Sequence, residues 1–283
     1  MKRIKVKDGF ISLENKPLIM GILNVTPDSF YDGGKYFDRE RAIERAFEII
    51  NEGADIIDIG GESTRPGAEP VSLEEEKRRV LPVIKEIRRK SDIIISIDTY
   101  KSEVAEEALL EGANIVNDIS GTKFDKNMPY VIKKYKAGCI VMHIRGTPKD
   151  MQKNPYYKDT IGEIKEEIEE RISFLKNFGV EDEQIIIDPG IGFGKRVYDN
   201  LLILKNIDEF KKLNYPLLIG HSRKSFIGKI IGEEDPSKRK DATIAVTSFL
   251  ILKKVDIIRV HDIKGTKEAK KILNSIEFPE NYL

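Results

Sequence analysis

The sequence predicts an α/β fold, a (β/α)8 TIM barrel with a short N-terminal β-hairpin. Eight short apolar segments rich in β-branched residues alternate with amphipathic helical segments along 283 residues, without a low-complexity linker. Glycines mark several helix-to-strand joints, and polar residues follow the strands. Eight such units in one continuous chain favour a closed barrel over a doubly wound open sheet, which is the alternative fold.

The elements follow one another in a regular order. Residues 4–13 predict the hairpin, and residues 1–283 are expected to form a single domain. Apolar residues recur at helical spacing in the segments 42–50, 80–87, 105–109, 161–175 and 201–204. Strands are predicted at 18–23, 55–59, 93–97, 115–117, 139–143, 185–188, 217–220 and 257–261.

Glycine recurs just before three of these strands. Gly53, Gly112 and Gly138 each stand where a helical segment ends. Because glycine adopts the left-handed conformation without a steric penalty, we expect each of them to cap a helix C-terminus.

Composition excludes several functional classes. Lys+Arg and Asp+Glu both number 48, and this zero formal net charge argues against a nucleic-acid-binding protein. No apolar run approaches the ~20 residues of a membrane span, and the basic first residues lack the apolar region of a secretory signal. A cytoplasmic location is therefore expected. Cys139 is the single cysteine, which excludes an internal disulfide and a multi-cysteine zinc site.

Polar residues stand at the carboxyl ends of the predicted strands, where barrels of this class carry their active sites. All three histidines are among them, which favours one composite site over scattered structural roles. The residues are Asn24, Asp58, Asp98, Asn117, Asp118, His143, Asp188, His221, Arg259 and His261.

Two long loops at the same end also predict function. Residues 24–34 form a longer polar loop than a minimal barrel requires, and residues 60–67 combine paired glycines with Arg65, which could bind an oxyanion. A solvated turn and a surface arginine are the simpler interpretations. The glycine-rich segment 188–195 is a weak nucleotide motif, and is better interpreted as a carboxylate followed by a turn that admits a flat ligand.

The last two strands predict an anion site. Barrels of this class commonly bind phosphate after strands seven and eight, where residues 220–225 and 259–262 stand. Arg259 and His261 share one strand face because side chains alternate with a period of two. An internal ion pair of Arg259 with Asp188 or Asp98 is the alternative.

Other reaction classes fit less well. No His-x-His or His-Glu-x-x-His motif supports a metallohydrolase. Residues 220–224 lack the closing glycine of a serine-hydrolase elbow. A Schiff-base aldolase with Lys224 as the amine stays open at this point.

Seven motifs together resemble dihydropteroate synthase over roughly residues 17–266. Two departures are Tyr31, where the family often has serine, and His221, where a small residue is common. The motifs are NVTPDSF (24–30), GESTRPG (61–67), DT (98–99), NDISG (117–121), DPGIGFG (188–194), SRKS (222–225) and RVHD (259–262).

The resemblance implies a reaction. A synthase of this family condenses 6-hydroxymethyl-7,8-dihydropterin diphosphate with p-aminobenzoate, giving 7,8-dihydropteroate and pyrophosphate in folate synthesis, with Mg²⁺. It also implies a homodimer, formed through barrel helices away from the substrate opening.

The same resemblance implies roles for individual residues. The pterin would contact Asp98, Asn117, Met142, Asp188, Phe193 and Lys224. The diphosphate would contact Asn24, Arg65, Arg259 and His261, with Asn24 also at the metal. The p-aminobenzoate would contact Thr64, Pro66, Phe193 and Ser225. The residues expected to act in catalysis are Asp98, Arg65, Lys224, Arg259 and His261.

Two other functions stay open at this stage. One is a methyltetrahydrofolate-dependent corrinoid methyltransferase, whose pterin-binding barrel resembles this one but needs no diphosphate site. The other is a non-catalytic pterin-binding protein. The Ser-Arg-Lys-Ser and Thr-Arg-Pro motifs favour the synthase.

Overall fold

Eight parallel strands form the centre of the fold, preceded by an antiparallel hairpin. A computed structural model describes residues 3–14, 17–26, 35–65 and 67–282, without the side chains of residues 35–38, 281 and 282. The strands are β1 (Arg3–Val6), β2 (Gly9–Ser12), β3 (Leu18–Asn24), β4 (Ile56–Gly60), β5 (Ile94–Asp98), β6 (Ile115–Asp118), β7 (Gly138–Met142), β8 (Ile185–Asp188), β9 (Leu218–Ile219) and β10 (Ile257–Val260). The α-helices are α1 (Lys35–Glu52), α2 (Leu73–Lys90), α3 (Ser102–Leu110), α4 (Met128–Tyr135), α5 (Thr160–Phe178), α6 (Val197–Lys205), α7 (Ile207–Lys211), α8 (Ser225–Ile231), α9 (Lys240–Leu252) and α10 (Ile263–Glu277).

The eight-stranded sheet closes on itself. Its strand order is β8-β7-β6-β5-β4-β3-β10-β9. The two edge strands meet through a parallel bridge between Ile187 and Leu217, and Ile187 N donates to Pro216 O at 2.9 Å. The prediction of a closed barrel is therefore confirmed, and the open-sheet alternative is wrong.

All eight predicted barrel strands are present, and their bounds differ from the predicted ones by at most one residue at either end. The shortest strand is β9. Leu217, just before it, donates its N–H to the Asp256 side chain at 2.9 Å instead of to a neighbouring strand. A side-chain carboxylate therefore replaces one ladder hydrogen bond at the start of this strand.

Side chains along each barrel strand alternate between two apolar cores. The outward-facing series, which includes Ile57, Ile95 and Val116, packs against the helices. The inward-facing series fills the amino-terminal half of the barrel interior. Its members are Leu18, Met20, Ile56, Ile94, Ile115, Ile140, Ile186, Leu218 and Ile257.

The hairpin closes the amino-terminal end of the barrel. Ile4, Val6 and Leu13 are buried in the same core as the inward-facing strand residues. Lys7 N donates to Asn114 O at 3.1 Å, just before β6 begins. The hairpin is thus part of the core and seals the barrel floor.

Two of the three predicted glycine caps are confirmed. Gly53 and Gly112 have φ of 96° and 117°, the left-handed conformation that favours glycine. The prediction was wrong for Gly138, because Lys136, with φ of 49°, caps α4 instead. Gly138 begins β7, where an added Cβ would lie 3.1 Å from Val6 Cγ1. Its lack of a side chain makes room for the hairpin.

Ile4→Ala should destabilise the fold by about 2–5 kcal/mol, because it leaves a cavity in the barrel floor. Phe10→Ala, on the exposed side of the hairpin, is the matched control and should cost much less. Denaturant unfolding of both variants measures the difference. Equal losses would show that the hairpin does not act as a plug.

Candidate active site

The inward-facing series changes from apolar to polar toward the carboxyl ends of the strands. In the parallel register, Asn24 lies opposite Gly60, Gly60 opposite Asp98, and Asp98 opposite Asn117. The alternation that puts Ile56 and Ile94 inside also puts Asp58 inside, one inward position further along β4, and Asp98 inside, two inward positions further along β5. These side chains line the carboxyl-end opening of the barrel, which we call the mouth.

An ion-pair network around Arg259 spans the mouth. Arg259 Nε donates to Asp58 Oδ2 at 2.6 Å, and its Nη2 donates to Asp98 Oδ2 at 2.6 Å. Asn117 Nδ2 donates to the same Asp58 oxygen at 3.1 Å. The pair with Asp98 is one that the sequence left open as the alternative for Arg259, whereas Asp58 was not expected as a partner. Within the described residues, these two bonds use two of the five guanidinium N–H groups, so three are available to a ligand.

Burial has the largest effect on the pKa of two carboxyls at the mouth, Asp98 and Asp188. It raises the pKa of Asp98 to about 7; Asp58 adds to this rise and Arg259 opposes it. Burial also raises the pKa of Asp188 to about 6, against the hydrogen bond from Gly190 N and the charges of Lys224, Lys195 and Arg259. Both groups therefore exchange protons near neutrality.

The glycine segment after β8 folds back against β7. Gly190 has φ of 69°, and an added Cβ would lie 1.9 Å from His143 O, so only glycine allows this approach. Gly190 N donates to Asp188 Oδ1 at 2.7 Å. The turn fixes one carboxylate oxygen of Asp188, and the other is left for a ligand.

One side of the mouth is apolar. Lys224 Nζ lies 3.9 Å from the centroid of the Phe193 ring, a cation–π contact. Burial, with a further contribution from Arg259, lowers the pKa of Lys224 to about 8, so the amine is still mainly charged at neutral pH. Phe193 shares an apolar cluster with Ile119, Met142, Ile144 and Met151.

Several cations cluster around His261 at the mouth. His261 Nδ1 lies 2.9 Å from Ser222 Oγ. Burial lowers the pKa of His261 to about 3, and the charges of Arg223, Arg259, Lys224 and Arg65 add to this effect. The imidazole is thus neutral and surrounded by cations, an environment that suits an anionic ligand.

The loop of residues 60–67, the second of the two predicted loops, is held in place by Glu62, a carboxylate that the sequence analysis did not single out. Glu62 Oε1 accepts from Tyr100 Oη at 2.6 Å, and Glu62 Oε2 accepts from Lys101 Nζ at 2.6 Å and from Val71 N at 3.0 Å. Lys101 also pairs with the buried Glu76. The half-buried Thr64 and the exposed Arg65 follow this anchor.

The remaining predicted residues either lie near the mouth or fall outside the residues that the structure describes. Asn24 is half-buried at the end of β3, and Ser225 is exposed at the start of α8. Pro66 and Tyr31 lie outside the described residues.

Two of the three histidines face away from the mouth, which corrects the prediction of one site containing all three. His221 is fully buried, with Nε2 2.9 Å from Thr247 Oγ1 of α9. His143 Nδ1 lies 3.0 Å from Lys195 Nζ, behind the glycine segment. Asp118 also points outward, and accepts from Ser120 N at 2.8 Å. Each follows an inward-facing residue by one position, so the strand period would have indicated its direction.

Comparisons with known proteins agree with this geometry. The profile of the family described as pterin binding enzyme matches residues 20–261. A dihydropteroate synthase of Synechocystis is 47% identical over 91% of this chain and 89% of its own. The chain therefore belongs to the pterin-binding enzymes.

Two solved structures are similar over nearly their whole lengths. The Xanthomonas albilineans dihydropteroate synthase with 4-aminobenzoic acid has a TM-score of 0.92 and 35% identity, covering 98% of both chains. The Yersinia pestis synthase with a sulfonamide drug complex has a TM-score of 0.91 and 36% identity, covering 97% of this chain and 99% of its own. Within this family, the chain belongs with the dihydropteroate synthases, which are transferases of folate biosynthesis.

Arg259→Met should lower the free energy of unfolding by about 3–5 kcal/mol at pH 8, because it leaves Asp58 and Asp98 buried without their cation. The pKa of Asp98 is already raised above its unfolded value, so its protonated form stabilises the fold at low pH, and this contribution is lost as the pH rises through about 7. Removing Arg259 raises that pKa further, so the loss should be smaller at pH 5.

Denaturant unfolding at pH 5 and pH 8 measures the effect. Arg78→Met is the control, because Arg78 makes two hydrogen bonds to Glu75 on an exposed helix surface. The same loss at both pH values would contradict the proposed charge pairing.

Proposed function

We propose that the mouth binds 6-hydroxymethyl-7,8-dihydropterin diphosphate and p-aminobenzoate and joins them with release of pyrophosphate. The observation that carries this proposal is the division of the mouth into an acceptor-rich side and a cationic side. Asp188 and Asn117 supply oxygens on the first, Arg259, His261 and Arg65 supply donors on the second, and the ion pair of Arg259 with Asp98 joins the two sides.

The pterin would lie along the acceptor-rich side. Its aminopyrimidine edge presents N–H donors, and the free oxygen of Asp188 and the Asn117 amide oxygen can accept them. Met142 and Phe193 supply apolar surface for the ring, and Lys224 can donate to a ring acceptor. An ionised Asp188 strengthens this recognition.

The diphosphate would lie on the cationic side. The unused N–H groups of Arg259 point to this role, together with the positive potential around His261. As the carbon–oxygen bond breaks, its electron pair leaves with pyrophosphate, and these donors stabilise the growing negative charge. The exposed Arg65 would join them from the second loop.

A magnesium ion is proposed at Asn24. The described residues contain no group of three His, Cys, Asp or Glu side chains able to hold a metal. A single amide oxygen at the end of β3 nevertheless suits Mg²⁺, which usually combines few protein ligands with substrate phosphates and water. When bound, the ion would neutralise charge on the diphosphate.

Bond formation requires no covalent enzyme intermediate. Departure of pyrophosphate leaves a cationic pterin methylene, which Asp98 in its ionised form can stabilise. The p-aminobenzoate nitrogen then forms the new carbon–nitrogen bond and loses a proton. Thr64, Pro66, Phe193 and Ser225 are proposed to place this second substrate, while the loops exclude competing water.

The alternative functions predict different behaviour. A corrinoid methyltransferase would bind a pterin without a need for the cationic side of the mouth, and a non-catalytic protein would bind the pterin without turnover. The extended ion-pair network and the cations around His261 favour the synthase reaction over both.

An assay with both substrates and Mg²⁺ tests the proposal. We expect pyrophosphate and dihydropteroate in equal amounts, loss of activity on chelation with EDTA, and recovery with Mg²⁺. A sulfonamide should inhibit less as p-aminobenzoate is raised, because both would occupy one pocket. Inhibition that ignores this titration would contradict a shared pocket, and pterin binding without product would support the non-catalytic alternative.

We also propose a cytoplasmic homodimer built from one domain over residues 1–283. In the described part of the chain, no helix could span a bilayer. Exposed apolar side chains lie on neighbouring helices of the outer ring, away from the mouth. They include Leu201 of α6, Ile230 of α8, Phe249 and Leu252 of α9, and Ile276 of α10.

Leu252→Glu should convert the dimer to monomer, because it places a charge among these apolar side chains. Sedimentation equilibrium measures the mass. Tyr130→Glu, an equally exposed position on α4, is the control and should leave the dimer intact. A wild-type mass equal to one chain would refute the dimer.

A further inference from the structure

Lys195 is a buried amine that the proposed reaction does not use. Its side chain is 3% exposed and lies behind the glycine segment. Nζ lies 3.0 Å from His143 Nδ1, and it donates to Phe193 O at 3.0 Å and to His143 O at 3.4 Å. The amine therefore joins the end of β7 to the loop that carries Phe193.

The surroundings of this amine match an ammonium ion. An ammonium has three N–H donors, and three acceptors surround it. Burial and the charge of Lys195 lower the pKa of His143 to about 4, so His143 is neutral and its Nδ1 can accept while Nε2 carries the proton. Nε2 in turn lies 3.5 Å from Glu167 Oε2.

Lys195 Nζ also lies close to the turn that binds Asp188: a Cβ added at Gly190, whose N–H donates to Asp188 Oδ1, would lie 3.4 Å from Nζ. Asp188 faces the charges of Lys224, Lys195 and Arg259 and accepts a hydrogen bond from Gly190 N, and all four favour its ionised form against burial. Lys195 in turn faces Asp188, Glu167, Arg145 and Lys224 in addition to His143. Burial lowers the pKa of Lys195 to about 7, so it is charged in the acidic range where Asp188 titrates.

We propose that Lys195 is a positioning residue of the pterin site, holding the Phe193 loop in place and keeping Asp188 ionised for the pterin N–H donors. This inference rests on the proposed function. It assigns to Lys195 an effect on the pH dependence of pterin binding that a packing role alone would not produce.

Calorimetry with 6-hydroxymethyl-7,8-dihydropterin between pH 5 and pH 8 tests the proposal. This alcohol is used because a diphosphate would itself titrate near pH 6. Wild-type affinity should fall as the pH drops through about 6, where Asp188 gains a proton. In Lys195→Met the pKa of Asp188 should rise further, so this fall should begin at higher pH, and a rise of one unit should weaken binding at pH 6 about fivefold.

Tyr157→Phe is the matched control. Tyr157 Oη donates to Gly194 O at 2.9 Å, so this variant removes a bond to the same loop without removing a charge. It should leave unchanged the pH at which the affinity for the pterin falls. Asp188→Asn should remove the fall centred near pH 6, and a change that persists near pH 7 would belong to Asp98. Melting curves establish that each variant is folded; should Lys195→Met fail to fold, Lys195→Gln keeps two N–H donors without the charge and should give the same displacement.

Two results would overturn the role of Lys195 without affecting the proposed function. One is a folded Lys195→Met variant with wild-type pterin affinity and pH dependence. The other is a Tyr157→Phe variant in which pterin affinity falls at the same raised pH as in Lys195→Met. Wild-type protein that does not bind the pterin at any pH would instead refute the proposed function, and this inference with it. The two failures are therefore distinguishable.

Discussion

The strict two-residue alternation of side chains in a closed sheet is the constraint on which the rest of the molecule depends. Every strand must supply apolar groups to the helix layer on one face, and the other face is enclosed by the barrel. The interior is too narrow to be left empty, so its amino-terminal half is packed and plugged by the hairpin. The polar chemistry is confined to the remaining half, where Asp58, Asp98, Asn117, Asp188 and Arg259 converge.

Burial of these charged groups has an electrostatic cost, and several residues of the site share it. Burial is the main cause of three pKa shifts: it raises the pKa values of Asp98 and Asp188, and it lowers the pKa of Lys224. Arg259 compensates two carboxylates at once. The charges that hold the site together are thus the ones that a ligand would meet, and stability and recognition depend on the same groups.

Much of this arrangement could be predicted from the sequence, because apolar periodicity alone locates the eight strands to within a residue. The strand period also predicts that Arg259 and His261 share one face, and Arg259 does reach the mouth, where it pairs with Asp58 and Asp98. Applied to His221 and Asp118 as well, it would have directed them outward. What periodicity could not give is the partner of a long side chain. The reach of Arg259 to Asp58, 201 positions apart, depends on barrel closure and register.

The contribution of the loops was the least predictable. Glu62 lies inside a recognised motif, yet its bonds to Tyr100 and Lys101 follow from where the loop after β5 passes, which no local pattern encodes. The end of α4 was also not predictable from a local pattern. A left-handed cap was expected at Gly138, but Lys136 adopts that conformation, and Gly138 instead lies close to the hairpin.

The sealed floor has a kinetic consequence. With Ile4 and Val6 packed beneath the strands, the mouth is open at one end only. Asn117 and Asp188 lie deep in the mouth, at 5% exposure each, whereas Arg65 and Ser225 are exposed at its rim. A molecule held at the rim therefore blocks the route to and from the deeper position, so the deeper ligand must arrive first, and a product that occupies both positions must leave rim end first.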